Sequence, residues 1–413
     1  MVAFNDRGAL TTNERRILTL CGIGHFFAHF YMLMFPSLAL WAHKDFQLTL
    51  PETLNLGFTM YLLFGLVSLP MGLLADRYGH KQLLVAMFVG LGGASIAAGM
   101  SRSAGVFAFL LACIGFFASI YHPVGIGLIS KCCRNRGRAL GNNGVWGNLG
   151  IGLAPLCAGL GAFVSDWRVV YILVGVGICG VGVILFRMEI DETPVTVAGS
   201  VKAGTSGRHL SYFALMLVSM CLLGLCYRGT VVSIPAYFED RIHFLARLMS
   251  WDSEISVSAS HSFGTTLLVS GIYLFGIFGQ MTGGRLADKM DLRLAYLTFH
   301  VCALPFMLLM GVLSELPLFF VGMGYLFFSL GMQPIENSLV ARMTPNHLRS
   351  LAYGLKFILV LGMGAFAVKM VRWVLNHREP QLVYFIQGGL IFTVLVLVSF
   401  LYWMSRRESF RNG

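Results

Sequence analysis

Apolar runs of membrane-crossing length recur along this chain from end to end. A helix needs roughly 20 such residues to cross the hydrocarbon core of a bilayer. Lipid offers no partner to a backbone N–H or C=O, so a spanning segment must close its hydrogen bonds as a helix or a sealed barrel. Here the runs are continuous rather than alternating, which argues against barrel strands. The expected fold is all-α, a polytopic helical membrane protein. Composition agrees: of 413 residues, 56% are hydrophobic and 12% charged, against about 25% charged in soluble domains. The first sixteen residues are polar and no cleavage pattern follows, so the first run reads as a retained helix.

Twelve spans are expected, with boundaries good to a few residues. The first six run near Ile17–Trp41, Leu54–Leu74, Leu83–Met100, Val106–Ser130, Ala139–Val164 and Val169–Phe186. The others run near Tyr212–Tyr237, Phe263–Thr282, Leu294–Leu313, Pro317–Ala341, Leu351–Val374 and Leu382–Met404. With the N-terminus cytoplasmic, 20 of the 30 Lys and Arg fall on the cytoplasmic side. Positive charge concentrates on that side of inner-membrane proteins, so both termini are expected there. The same bias explains the +11 net charge without invoking nucleic acid. Nine cysteines lie mostly in apolar runs, show no metal-ligand spacing, and read as reduced and structural.

Met188–His209 breaks the apolar pattern with acidic, Gly, Ser and Thr residues and reads as a flexible linker. The expected domains are an N-terminal six-helix bundle (1–187), a cytoplasmic linker (188–210) and a C-terminal six-helix bundle (211–413). The halves repeat each other. "GLLADRYGHK" from Gly72 matches "GRLADKMDLR" from Gly284, pairing Asp76 with Asp288. Pro123 matches Pro334, Arg138 matches Arg349, Pro36 matches Pro235, and His29 matches Arg228. Duplicated bundles of this kind rock about a site at their interface near the midplane.

"GLLADRYGHK" resembles the loop between the second and third helices of the major facilitator superfamily. The second copy falls between helices eight and nine, as it does in that family. The resemblance covers the whole chain and implies alternating-access transport without covalent chemistry. Within the superfamily the sequence is most similar to fosmidomycin-resistance-type exporters, through His122-Pro123 and "GNLGIGLAP", Gly147 to Pro155. It departs from them by carrying His29 where an acidic residue is expected and Val124 after His-Pro. The resemblance makes Gly72, Asp76, Arg77, Gly79, Lys81, Asp288 and Arg138 a gating set. Gly79 permits a tight loop, and Asp76 would face the positive end of a helix in the other half, near Arg349, with Arg134 and Arg138 as other partners. The structural alternative is a basic loop that only sets topology.

An ionisable side chain at bilayer depth usually faces a cavity or a partner. Those at depth here are His25, His29, His122, Arg228, Glu336 and Lys356, with Tyr31 among the aromatics that would line the cavity. Arg228 and His29, as repeat mates, should face each other. Lys356 either faces the cavity or neutralises Glu336. His25 and His29 share one helix face. They are core histidines or proton carriers, and a metal site is not expected because no third ligand has suitable spacing. Acidic residues are scarce in the first half, which leaves histidine and Glu336 to carry protons. Basic groups outnumber Glu336, favouring an anionic or polar organic solute. The glycines of "GNNGVWGNLGIG" are expected to serve helix packing.

The expected function is proton-coupled secondary transport of a small solute in the inner membrane, with efflux favoured. The alternatives are uptake of an organic anion or metal chelate and, from another class, a non-transporting sensor or assembly factor. No enzyme, cofactor or nucleic-acid partner is expected, and nothing in the sequence sets an oligomeric state.

Overall fold

The computed structural model describes residues 10–195, 207–249, 257–344 and 349–411. Eleven helices are long and apolar enough to cross a membrane, and one bent pair makes a twelfth span. In chain order they are α1 (Thr12–Asp45), α2 (Leu50–Leu66 and Ser68–Tyr78), α3 (His80–Met100) and α4 (Ala104–Cys132). Next come α5 (Arg136–Val164), α6 (Trp167–Arg187), α7 (Gly207–Arg241) and α8 (Val257–Lys289). The set ends with α9 (Leu292–Met310), α10 (Glu315–Met343), α11 (Arg349–Phe357 through Phe366–His377) and α12 (Leu382–Arg411). No strand occurs among the described residues. The spans thus match those expected, and several are lengthened at their polar ends. α1, for example, begins at a capping box in which Thr11 and Glu14 satisfy each other's backbone donors.

Helices α2 and α11 are not straight. The two parts of α2 bend by 48° at Val67. α11 opens into a π-turn at Ile358–Gly362 and tightens to a 3-10 turn at Met363–Ala365. Close packing accompanies both irregularities. A Cβ on Gly65 of α2 would lie 2.0 Å from the Gly362 backbone nitrogen, and one on Gly224 of α7 would lie 2.5 Å from the Val360 carbonyl oxygen. Only glycine lets these backbones meet, and π-turns recur where helices serve a function.

Each bundle packs α1 on α5 and α3 on α6, or α8 on α10 and α7 on α12, within itself. Between bundles, α2 meets α11, α5 meets α8, and α1 meets α7. Because α2 repeats as α8 and α5 as α11, the first two interfaces are mates under the internal duplication. Hydrogen bonds from Lys44 to Ser258 and from Lys369 to Asn55, both 2.8 Å, join the bundles at the face remote from the chain termini. Phe163 stacks on Phe263, and Phe58 meets Phe366, toward that same face. Nearer the middle, Ser270 of α8 donates to the Gly152 carbonyl of α5.

The linker differs from expectation over its first part. Asp191 and Asn13 exchange two hydrogen bonds, Arg16 donates to the Glu189 carbonyl at 3.0 Å, and Val195 donates to the Lys131 carbonyl at 3.0 Å. Residues 188–195 are therefore strapped to the first bundle, because their polar groups find backbone and side-chain partners there. The rest of the expected linker to residue 206 lies outside the described residues.

Candidate functional site

Arg228 sits midway along α7 and is only 1% exposed. Its guanidinium carbon lies 3.9 Å from the centre of the Tyr61 ring, across the interface on α2. Tyr61 is itself fixed, because its hydroxyl donates to the Met32 carbonyl at 2.8 Å. The Nε and Nη1 of Arg228 have no hydrogen-bond partner. No carboxylate pairs with it among the described residues. Taking an ion out of water costs several kcal/mol, and a desolvated cation–π contact returns about 2 kcal/mol. The guanidinium is therefore left wanting an anion.

Facing it from the first bundle is a group of three imidazoles. His25 and His29 stand one turn apart on α1, with ring centres 4.9 Å apart. His122 comes from the middle of α4, 5.5 Å from the His25 ring and 5.2 Å from the His29 ring. One ligating atom of each lies within 4.8 Å of the other two. A third imidazole thus joins the pair that the sequence spacing marked out. The spacing in sequence gave no warning because the third ring arrives from another helix, held beside Pro123. Aromatic faces wall the cluster: His25 stacks on Tyr121 at 4.7 Å, His122 stacks on Phe357 of α11 at 4.8 Å, and Phe64 lies 5.6 Å from His122. His25 Nδ1 lies 2.8 Å from the Asn143 carbonyl oxygen. Tyr121 donates to the Asn143 side chain at 2.5 Å. Neither ring nitrogen of His122 has a partner although the residue is 5% exposed, an omission that costs about 1–3 kcal/mol per group.

The second bundle carries an ion pair instead. Lys356 Nζ lies 2.6 Å from the Glu336 carboxylate and donates to Asn337 Oδ1 at 2.6 Å. Tyr296 of α9 donates to the other Glu336 oxygen at 2.8 Å, and its ring meets His300. Both charged residues are buried. Of the two expectations for Lys356, neutralisation of Glu336 is the one observed. Arg228 is therefore a buried positive charge at the interface with no carboxylate partner among the described residues.

Tyr31 does not join this site. It lies two residues from His29, about 200° around the helix, and points into the first bundle beside Ser95 and Cys179. Of the helix-five glycines, Gly147, Gly150 and Gly152 pack against His25, the Phe26 backbone and Leu274, whereas Gly141 and Gly144 face open space. Tyr61, Phe64, Phe357, Asn143 and Tyr296 were not singled out from sequence. One signal was available for Tyr61: the 212-residue offset that pairs Asp76 with Asp288 pairs Tyr61 with Tyr273, whose buried hydroxyl is also unpartnered.

In the gating set, the φ of +91° at Gly79 requires glycine, and a Cβ on Gly72 would make a tight contact of 3.2 Å with Pro123. Asp76, Arg77, Arg138 and Asp288 are exposed. Lys81 donates to the Phe186 carbonyl at 3.0 Å. Arg134, one of the expected partners of Asp76, is held by Glu14 at 2.9 Å. The side chain of Arg349 lies outside the described residues. At the start of α3, Glu192 from the strapped linker accepts from the backbone N–H of His80 at 3.0 Å and of Lys81 at 2.8 Å, and also meets the His80 ring. Burial would raise the Glu192 carboxyl, but these donors outweigh it and hold it below its ordinary value.

A two-bundle helical fold, a duplicated loop and a buried interfacial site define a membrane transporter rather than an enzyme. The family model of the Major Facilitator Superfamily matches residues 20–368, and the chain belongs to that superfamily. No curated protein matches it. Among solved structures, it is similar to a bacterial homolog of the human lysosomal transporter Spinster in an inward-facing, occupied conformation. That similarity has a TM-score of 0.69 at 13% identity, covering 96% of this chain and 98% of the other. It is similar also to the peptide transporter POT in complex with sulfate, with a TM-score of 0.71 at 14% identity, covering 95% and 94%.

Proposed function

We propose that this chain is a proton-coupled secondary transporter that carries a small organic anion across the inner membrane by alternating access, in the export direction. The observation that carries the anion is Arg228: a buried guanidinium at the bundle interface, with unpaired donors and no counter-ion among the described residues. A planar guanidinium with donors to spare suits a carboxylate or phosphonate. The sulfate bound to POT is an oxyanion in the same fold, which is in keeping with such a solute. Export follows the likeness of His122-Pro123 and Gly147–Pro155 to exporters.

Coupling is assigned to Glu336. Tyr296 and His300 from α9 and Lys356 from α11 face it. When Glu336 takes up a proton, Lys356 loses its counter-charge and becomes available to the solute. When the proton leaves, the pair closes again. With both termini cytoplasmic, the inter-bundle contacts near Lys44, Asn55 and Phe163 lie on the outer side, and the exposed Asp76 lies on the inner side. That pattern supports an inward-facing state in which the Asp76 latch is released.

The test is flux of carboxylate and phosphonate solutes in proteoliposomes with an imposed pH gradient. Wild type should move the solute against its gradient. Arg228→Gln should abolish flux, and Glu336→Gln should leave exchange of solute intact while ending its response to pH. Flux in Arg228→Gln equal to wild type removes the anion site, and pH-driven flux in Glu336→Gln removes the coupling assignment.

A further inference from the structure

The three imidazoles have a property that solute binding at Arg228 does not use. The Asn143 carbonyl oxygen can only accept, so the His25 Nδ1 beside it carries the proton and Nε2 presents a lone pair. A carbonyl behind a ligating histidine is the outer-shell contact that fixes tautomer and ring direction in metal sites. His122 has both nitrogens free of hydrogen bonds in a buried position. No carboxylate or thiolate belongs to the group, whose ligating atoms already lie within 4.8 Å of one another. Ligand nitrogens around a tetrahedral ion with bonds of about 2.0–2.1 Å sit roughly 3.3 Å apart. The ligating atoms must therefore draw together by at most about 1.5 Å on binding.

We propose that His25, His29 and His122 form a binding site for a divalent d-block cation of the zinc class. Three neutral imidazoles suit zinc, copper, nickel or cobalt and not magnesium or calcium, which require oxygen ligands. Three protein ligands leave a fourth position open. Arg228 lies within electrostatic reach of His29, and Lys356 of His122. With Lys356 paired to Glu336, the Arg228 charge disfavours a bare cation here and favours one whose fourth ligand is an anion. The cation therefore enters with an anion bound to it, as a chelate or a metal–carboxylate pair. This last step rests on Arg228 as an anion site; the histidine site itself does not.

The test uses the full chain purified in detergent. Zinc is titrated by calorimetry, and cobalt(II) is titrated by visible absorption, whose intensity reports tetrahedral coordination. The background carries His243→Gln and His261→Gln, which removes the histidine pair just past the end of α7 and at the start of α8, with rings 5.0 Å apart. One equivalent of metal with a tetrahedral cobalt spectrum is expected. His25→Gln, His29→Gln and His122→Gln should each weaken binding by about 100-fold, and His377→Gln should not change it. Gly147→Ala removes no ligand but places a Cβ 2.5 Å from the His25 ring, so it too should weaken binding and serves if a histidine variant fails to fold. Absence of stoichiometric binding in the wild-type cluster, or binding that Gly147→Ala and the histidine variants leave unchanged, overturns the proposal. Arg228→Gln should still bind zinc alone while losing the added affinity that a carboxylate confers. Loss of solute flux with zinc binding intact therefore separates failure of the anion site from failure of the metal site.

Discussion

The two bundles share a scaffold and differ in what they bury. Pro123 and Pro334 occupy equivalent places, yet the residue before each is His122 in the first bundle and Gln333 in the second. The equivalent of Glu336 is Gly125, and that of Arg228 is His29. The first bundle thus presents imidazoles with no fixed charge. The second presents a fixed cation at the interface and a neutralised pair behind it. Backbone-shaping residues are retained across the repeat while interior chemistry has diverged. A site between two such halves can bind an anion on one side and offer lone pairs on the other.

The largest effect should come from erasing the fixed cation. Arg228→Gln is expected to lower solute flux by about 100-fold or more, because it removes a charge from a desolvated contact. Insertion should be unchanged and thermal stability should change little, because the lost contact with the Tyr61 ring is offset by relief from burying an unpaired charge. Retention of flux would mean that the asymmetry between bundles has no bearing on transport. Next comes the ion pair. Lys356→Met strands the Glu336 carboxylate in a buried place and should cost about 3–5 kcal/mol, read as a fall in melting temperature in detergent. Lys356→Met combined with Glu336→Gln should recover most of that loss. His122→Phe in the other bundle should cost little, within about 1 kcal/mol, because it keeps the stack on Phe357 and removes two unpaired nitrogens. If His122→Phe unfolds the protein as Lys356→Met does, the first bundle also relies on a buried polar bond.

Much of this fold was legible because lipid leaves a chain few options. Continuous apolar runs, basic loops and repeated proline and glycine anchors suffice to give twelve helices in two halves. The buried ionisable residues could be named for the same reason. Their grouping was less legible. His25 and His29 announce themselves at i, i+4, but His122 joins them only through packing of α4 on α1. Tyr31 lies on the far side of α1 from His29, a placement that follows from helical angle and not from residue type. Tyr61, an unremarkable aromatic within an apolar run, matters because packing between the bundles sets its ring under Arg228. Where a composition shift suggested a loose linker, the sequence carried no sign that Glu189, Asp191 and Glu192 would find partners on the first bundle.

That strap offers the finest comparison between the halves, because it solves a problem the second half solves differently. Helices α3 and α9 both start just after the duplicated loop, and Gly79 corresponds to Asp291. Asp291 caps its own helix, accepting from Arg293 N–H at 3.0 Å and Leu294 N–H at 3.1 Å. Gly79 has no side chain to do so, and Glu192 supplies the acceptor from 111 residues away at Lys81. Glu192→Gln should therefore cost about 1 kcal/mol, like loss of any N-cap, and should also loosen the linker, whereas Asp291→Ala should affect its own helix end alone. Limited proteolysis within residues 188–206 separates these outcomes. The sign of the pH effect follows from the lowered Glu192 carboxyl. A group held below its ordinary value of 4.5 contributes in full above that value, and the contribution fades as pH falls through the lower folded value. Protection of the His80 and Lys81 amides, taken relative to free-chain hydrogen exchange at each pH, should hold at neutral pH and fall only below about 4.5. Loss of that protection already in the neutral range would show that the Glu192 carboxylate does not hold the strap.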